Sequence, residues 1–412
     1  MTTHGKMAIL GAVWGLVACG GTGVKAAEVK SIVPPGAQIV GPYTPALQVG
    51  DLVYVSGQGA RDAKGELAPT PAGQLRQSLM NVQSIIEAAG LTMDHVVYTQ
   101  VYVTDTSAYS ELPGVWSQFF KPDGPAMSLL GVTAMPVGTP VEVNAVAVTD
   151  ISRKRPIRLP GAPHPGLPPD AVIAGDRLFF SGCFGFDTEG KIPADSTLQT
   201  KLALDRLEAV LKAAGIGLDH VAFVNPYITD AVVPGEMTKE YARHFKFGDT
   251  PARATIHVAH LPHNAGVVFT GVAALDLAAR RSVRPKNMPP SPTASPCVFA
   301  GNTLYCSAKS AFIPGPNLGV YAESVENQVR QTMRNLVDGL EEAGMSLADV
   351  VATNVYLDDI KDFAKMNRIY ASYFKAPFPT RTTVQQRPSV ERKQNDREQW
   401  PDLEQISLIA VK

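Results

Sequence analysis

Apolar residues recur at helical spacing three times along the chain, in QLRQSLMNVQSIIEAAG (residues 74–90), LQTKLALDRLEAVLKAAG (198–215) and VENQVRQTMRNLVDGLEEAG (325–344). Each stretch predicts an amphipathic helix that stops at its glycine, the residue that most readily takes a left-handed C-terminal turn. Ahead of each helix stands a hairpin signal: ALQVGDLVYVSG (46–57), AVIAGDRLFFSG (171–182) and PCVFAGNTLYCSA (296–308). In each, β-branched and aromatic runs flank a Gly-Asp or Gly-Asn pair, a two-residue turn. After each helix come a strand (VVYTQVYVTD in the first copy) and a second helix with aromatic pairs one turn apart: Trp116/Phe120, Tyr241/Phe245 and Tyr370/Phe374. Two closing strands end each copy, the last being VEVNAVAV, VVFTGVAAL or ISLIAV.

The helix-ending glycines Gly90, Gly215 and Gly344 are 215 − 90 = 125 and 344 − 215 = 129 residues apart. Solenoid repeats have periods of about 20–50 residues, so this spacing is whole-domain duplication. The expected units are residues 36–150, 159–277 and 290–412, each α+β with a mixed sheet and two helices. The segments between them, SRKRPIRLPGAPHPG and RRSVRPKNMPPSPTASP, are rich in Pro and basic residues, as linkers are.

Composition narrows the function. A 45% hydrophobic, 18% charged chain of 412 residues is globular and long enough for several cores. A net charge of −1 lacks the excess of Lys and Arg that tracks phosphates, so no nucleic-acid partner is expected. The N-terminus reads as an export leader over residues 1–27: MTTHGK is short and basic, and MAILGAVWGLVA is an apolar run too short to span a bilayer. Leu16-Val17-Ala18-Cys19 resembles a bacterial lipobox, which would lipidate Cys19; cleavage after Ala26 is the other reading. Either way the chain is expected to be exported, periplasmic or anchored, with any membrane contact made only through that lipid.

GPYTPALQVGDLVYVSGQ (41–58), the EAAG…VYVTD block, TPARAT (250–255) and VEVNAVAV (141–148) resemble the reactive-intermediate deaminase family, also called Rid or YjgF. The resemblance covers all three units. It implies a chorismate-mutase-like fold in each, a central barrel with helices outside, and ligand clefts between neighbouring units. Members of that family are usually homotrimers, so this chain looks like a covalent pseudo-trimer that acts as a monomer. Linking the units makes their association independent of dilution. The implied activity is hydrolysis of enamine and imine derivatives of amino acids to 2-keto acids and ammonia, with no cofactor or metal. The substrate is then a small carboxylic acid, which an arginine fork holds by both oxygens.

Residue by residue, the family's carboxylate-binding arginine falls on Arg253 and Arg381, whereas unit one has Met127. The family's glutamate falls on Glu142, whereas units two and three have Val268 and Gln405. Tyr43 and Ser56 match the family's hairpin residues, and Ser181 and Ser307 repeat the serine. Asn367 matches an asparagine of the second helix, where the other units carry Pro113 and Thr238. The resemblance therefore assigns catalysis to Glu142, Tyr43 and Ser56, and substrate binding to Arg253, Arg381, Asn367, Ser181 and Ser307. No unit holds the full set, so one cleft between units would have to gather it. The bland alternatives are ion pairing for the arginines, an outward-facing strand position for Glu142, and hairpin packing for Tyr43 and Ser56.

Other features carry less. His257, His260 and His263 stand three apart in a strand-then-loop stretch, which sends them to different faces rather than around a metal. Cys183 reads as a buried small residue. If Gly301-Asn302 is the turn, Cys297 and Cys306 face each other across the hairpin, in reach of a disulfide in an exported protein. Arg381 to Gln405 spans 24 residues against 15 from Arg253 to Val268, so unit three carries a charged insertion, ERKQNDREQWPD, expected in solvent. The competing functions are an imine deaminase, a non-catalytic small-carboxylate binder, and a nuclease, the last disfavoured by the charge.

Overall fold

The computed structural model describes residues 28–37, 39–160, 168–286, 288–313 and 321–412. The expected leader, Cys19 included, lies outside the described residues.

Unit one runs β1 (Val29–Ile32), β2 (Ala46–Val49), β3 (Leu52–Gly59), α1 (Pro71–Ala88), β4 (Val96–Val103), α2 (Ala108–Trp116), β5 (Ala126–Gly131) and β6 (Val141–Val148). Unit two repeats the order with β7 (Lys154–Ile157), β8 (Ala171–Ala174), β9 (Arg177–Phe184), α3 (Ser196–Ala213), β10 (Val221–Ile228), α4 (Pro234–Tyr241), the short β11 (Ala252–Arg253) and β12 (Ile256–His257), and β13 (Val267–Ala274). Unit three has β14 (Arg280–Val283), β15 (Cys297–Ala300), β16 (Thr303–Lys309), α5 (Val325–Glu342), β17 (Val350–Leu357), α6 (Phe363–Ala371), β18 (Thr380–Gln385) and β19 (Glu404–Val411).

The three sheets share one strand order, β1-β2-β3-β6-β4-β5 in unit one and its equivalents elsewhere. Only the pair joined through the second helix is parallel, β4 with β5, because a crossover helix returns the chain in the same direction. The long helices start at side-chain caps, Thr70 on Gly73 N, Asp195 on Leu198 N and Ser324 on Asn327 N. They end at Gly90, Gly215 and Gly344, each with positive φ. The apolar stripe of α1 (Leu75, Leu79, Val82, Ile85, Ile86) is buried on its sheet, and each such side chain contributes about 1.5–3 kcal/mol. The aromatic pairs of the second helices also pack inward, with ring centroids 4.3, 4.7 and 4.8 Å apart.

Each sheet opens with a strand that lies before the expected unit boundary: β1 before residue 36, β7 before 159 and β14 before 290. These are edge strands, short and charged, and lack the apolar alternation that marks a strand in sequence. Their basic residues anchor them: Lys154 Nζ donates to the carbonyls of Asp94 and Val96, and Arg280 to Val221 O and Asp249.

A core cluster on the axis draws residues from all three units, Tyr54 and Tyr98 with Phe179, Phe223 and Tyr305 among them. Each unit keeps a private core under its helices. The ring closes through β5 beside β9, β11 beside β16 and β18 beside β3. The fold is thus three chorismate-mutase-like domains joined as an intramolecular trimer. Cys297 and Cys306 sit in register across the β15–β16 hairpin and are disulfide-bonded, and Gly339 leaves room for the Cys297 sulfur.

Candidate functional site

Strand register aligns the three units at their functional positions. Thr99 faces Met127, Val224 faces Arg253 and Thr353 faces Arg381. Likewise Tyr102 faces Glu142, Tyr227 faces Val268 and Tyr356 faces Gln405.

The units meet through one joint used three times. Ser56 Oγ donates to Thr44 O (2.6 Å) and accepts from Arg381 N (3.0 Å). Ser181 Oγ donates to Pro169 O (2.6 Å) and accepts from Met127 N (3.0 Å). Ser307 Oγ donates to Ser295 O (2.6 Å) and accepts from Arg253 N (2.8 Å). Each hydroxyl is therefore committed to fastening one unit's hairpin to its neighbour's strand. Ser56, expected to be catalytic, and Ser181 and Ser307, expected to bind substrate, thus have a fastening role that the sequence did not suggest.

At the joint between units three and one lies a cavity of about 290 Å³. Tyr43 and Glu142 line it from unit one, and Arg381, Thr383 and Phe363 from unit three. Arg381 is 5% exposed, and its guanidinium lies 5.1 Å from the Tyr370 ring, 5.4 Å from Phe363 and 5.9 Å from Tyr43. Its Nη1 is buried without a hydrogen-bond partner. A buried cation left with an open donor is costly unless an anion completes it. Glu142 is 7% exposed. Burial raises its pKa to about 8, against the pull of Arg381 and a hydrogen bond from the Thr383 backbone. Near neutral pH its carboxyl is mostly protonated. Burial likewise raises the Tyr43 phenol, opposed by a backbone hydrogen bond from Val40.

Two glycines make the room. A Cβ on Gly57 would stand 1.9 Å from Glu142 Oε1, and one on Gly41 would stand 2.8 Å from Arg381 Nη2. Asn367 lies beside Gly41, half-buried, with its Oδ1 unpartnered. Sequence reading missed these glycines, the Phe363 and Tyr370 rings around the guanidinium, and Thr383 as the donor to Glu142. The glycines stood inside the motif that carried the resemblance, but their purpose depends on side chains about 85 and 340 residues away.

The other two clefts differ. Between units one and two, Met127 and Val268 take the places of Arg381 and Glu142, and Val268 Cγ2 would lie 3.0 Å from a Cβ on Gly182. Between units two and three, Arg253 is present with Gln405 in the acid's place. Among the described residues Arg253 has no ion-pair partner; it donates to Thr255 and Thr238. The three histidines do not converge. His257 pairs with Asp230 at 2.8 Å, His263 packs edge-on to Phe184 and Phe186, and His260 meets Gly131 through its backbone. Cys183 is a buried free thiol. The insertion is largely exposed, as expected, and is pinned by Arg392 on Asp362.

A family model described as Endoribonuclease L-PSP matches residues 36–149, 167–274 and 287–389. A RutC family protein of Haemophilus influenzae is 40% identical over 114 residues, 26% of this chain and 88% of that protein. The 2-iminobutanoate/2-iminopropanoate deaminase of Bos taurus is 37% identical over 111 residues, 26% of this chain and 81% of the relative. A crystal structure of chorismatase aligns with 77% of this chain and 93% of its own at a TM-score of 0.51 and 14% identity, a likeness of fold alone. With the family matched three times in succession, this chain belongs to the Endoribonuclease L-PSP family, the Rid or YjgF group, as a tandem of three domains.

Proposed function

We propose that the protein hydrolyses imino acids to 2-keto acids and ammonia in the cleft between units three and one. The observation that carries this reading is the meeting of Arg381, whose Nη1 is buried and open, with the buried Glu142, whose pKa burial raises, in one cavity. The imine-deaminase names of relatives such as the Bos taurus protein support it. The net charge of −1 gives no support to binding RNA.

Arg381 takes the substrate carboxylate, which places C2 of the imine toward Glu142. Glu142 gives its proton to the imine nitrogen, and as carboxylate it then accepts one from the attacking water. The carbinolamine collapses to the keto acid and ammonia. Tyr43 closes the cavity beside the guanidinium and orients the bound acid. The disulfide-bonded Cys297 and Cys306 support an exported chain, since such bonds persist in oxidising compartments. An exported enzyme would meet imino acids made by amine-oxidising chemistry outside the cytoplasm.

The test is hydrolysis of imino acid generated in place by an amino-acid oxidase, followed as keto-acid formation. Acceleration over buffer that vanishes in Arg381→Ala supports the reading. A parent protein no faster than buffer refutes it.

A further inference from the structure

The cavity between units three and one extends well past Arg381 and Glu142. At about 290 Å³ it is larger than the ~150 Å³ cavity that takes a benzene ring, and far larger than a carboxylate and an imine carbon need. Its further wall includes Gly59, Arg61, Pro136 and Val137. The polar side chains around Gly59 are engaged by the chain itself. Arg61 donates to the carbonyls of Gly65 and Val137, and Asn81 to those of Gly59 and Arg61. Thr139 Oγ1 accepts from Ala60 N and donates to Val141 O. Val137 itself is 57% exposed and held at φ 52°, a region that β-branched residues avoid. Backbone strain that neighbouring hydrogen bonds hold in place marks positions in use.

The cleft between units one and two shows what such a space accepts. His263, at φ 61°, stands after Pro262 as Val137 stands after Pro136. Phe184 pairs with Val268 as Gly59 pairs with Glu142, and Phe186 follows Phe184 as Arg61 follows Gly59. The His263 ring meets Phe184 and Phe186 edge-on, with centroids 5.5 and 5.1 Å apart. In that cleft the chain's own aromatic rings occupy the positions that Gly59 and Val137 leave open beside Glu142.

We propose that the cleft between units three and one selects imino acids with a bulky apolar side chain, an aromatic one above all, and that Val137 sets this preference. The inference rests on the hydrolytic reading of the same cleft and names its substrate class. With the carboxylate on Arg381 and C2 toward Glu142, the side chain runs along Gly59 to Val137 and covers the exposed valine. A single methylene in an apolar pocket discriminates by about 10–200-fold, so a phenyl ring against a hydrogen should exceed the lower figure.

The imino acids of phenylalanine and alanine, both made by D-amino-acid oxidase, are compared on the full chain by kcat/KM. Affinities for the unreactive acids 3-phenylpropanoate and propanoate are measured beside them by calorimetry. The expected result is at least a tenfold preference for the phenylalanine-derived imine and at least tenfold tighter binding of 3-phenylpropanoate, both lost in Arg381→Ala. Val137→His, which places there the residue that unit two carries at φ 61°, should lower both ratios at least fivefold. Hydrolysis of both imines without preference, with equal binding of the two acids, overturns the inference and leaves the hydrolytic reading standing. Hydrolysis of neither, with 3-phenylpropanoate still favoured through Arg381 and Val137, refutes hydrolysis and supports the apolar site. Ratios unchanged in Val137→His overturn the role given to Val137.

Discussion

The cleft between units three and one and the cleft between units one and two are built on the same joint and hold opposite contents. In both, a serine hydroxyl fastens a hairpin carbonyl to the backbone N–H of a neighbouring strand, at 2.6 and 3.0 Å. In one, that N–H belongs to Arg381, with Glu142 beside it; in the other it belongs to Met127, with Val268 beside it. The joint needs only a backbone donor, so it survives any change of side chain. The proposed chemistry needs an arginine and an acid contributed by two units, so it is lost when either unit drifts. Assembly and catalysis are therefore separable here, and linking the units in one chain is what lets their clefts diverge.

The sharpest way to break the comparison is Arg381→Ala, expected to lower kcat/KM for an imino acid by at least about 10²–10³-fold, since it removes a buried charge-assisted contact. Glu142→Gln comes next, with an expected loss of about 10²-fold. The sign of its pH dependence follows from a pKa raised to about 8: the acid form is present below that value, so the rate falls as pH rises through it. A pH–rate profile of Glu142→Gln should lack that fall. Ser181→Ala probes the joint alone. It should lower stability by about 1–2 kcal/mol in denaturant titration, because the buried Met127 N–H and Pro169 carbonyl lose their partner, and leave kcat/KM unchanged.

A second effect on stability concerns Glu404, which stands where units one and two have Val141 and Val267. It is fully buried, contacts Thr332 Oγ1, and leaves Oε2 without a partner. Burial pushes its pKa well above the usual carboxylate range. A carboxyl raised in this way favours the folded state below its unfolded pKa, and that contribution drains away as pH rises. Glu404→Val should therefore stabilise the protein by about 1–3 kcal/mol at pH 8, with the gain shrinking toward pH 5. Denaturant midpoints at the two pH values check it.

Much of this was legible in the sequence because it is local. The three helices, their caps and the hairpin turns repeat as short motifs, and strand register then carried the positions of Arg381, Arg253 and Glu142. What stayed hidden was relational. The fastening role of Ser56 shows only when its partner is seen to be a backbone N–H 325 residues away. The linker strands β7 and β14 looked like spacers because edge strands carry charge where central strands carry apolar residues.

The central claim is that hydrolysis belongs to the cleft with Arg381 and Glu142. The most direct test is keto-acid release from an oxidase-generated imino acid by Arg381→Ala and Met127→Ala side by side. The account predicts that Arg381→Ala falls to the rate of buffer while Met127→Ala keeps that of the parent. An Arg381→Ala protein that still turns over at the parent's rate would contradict it.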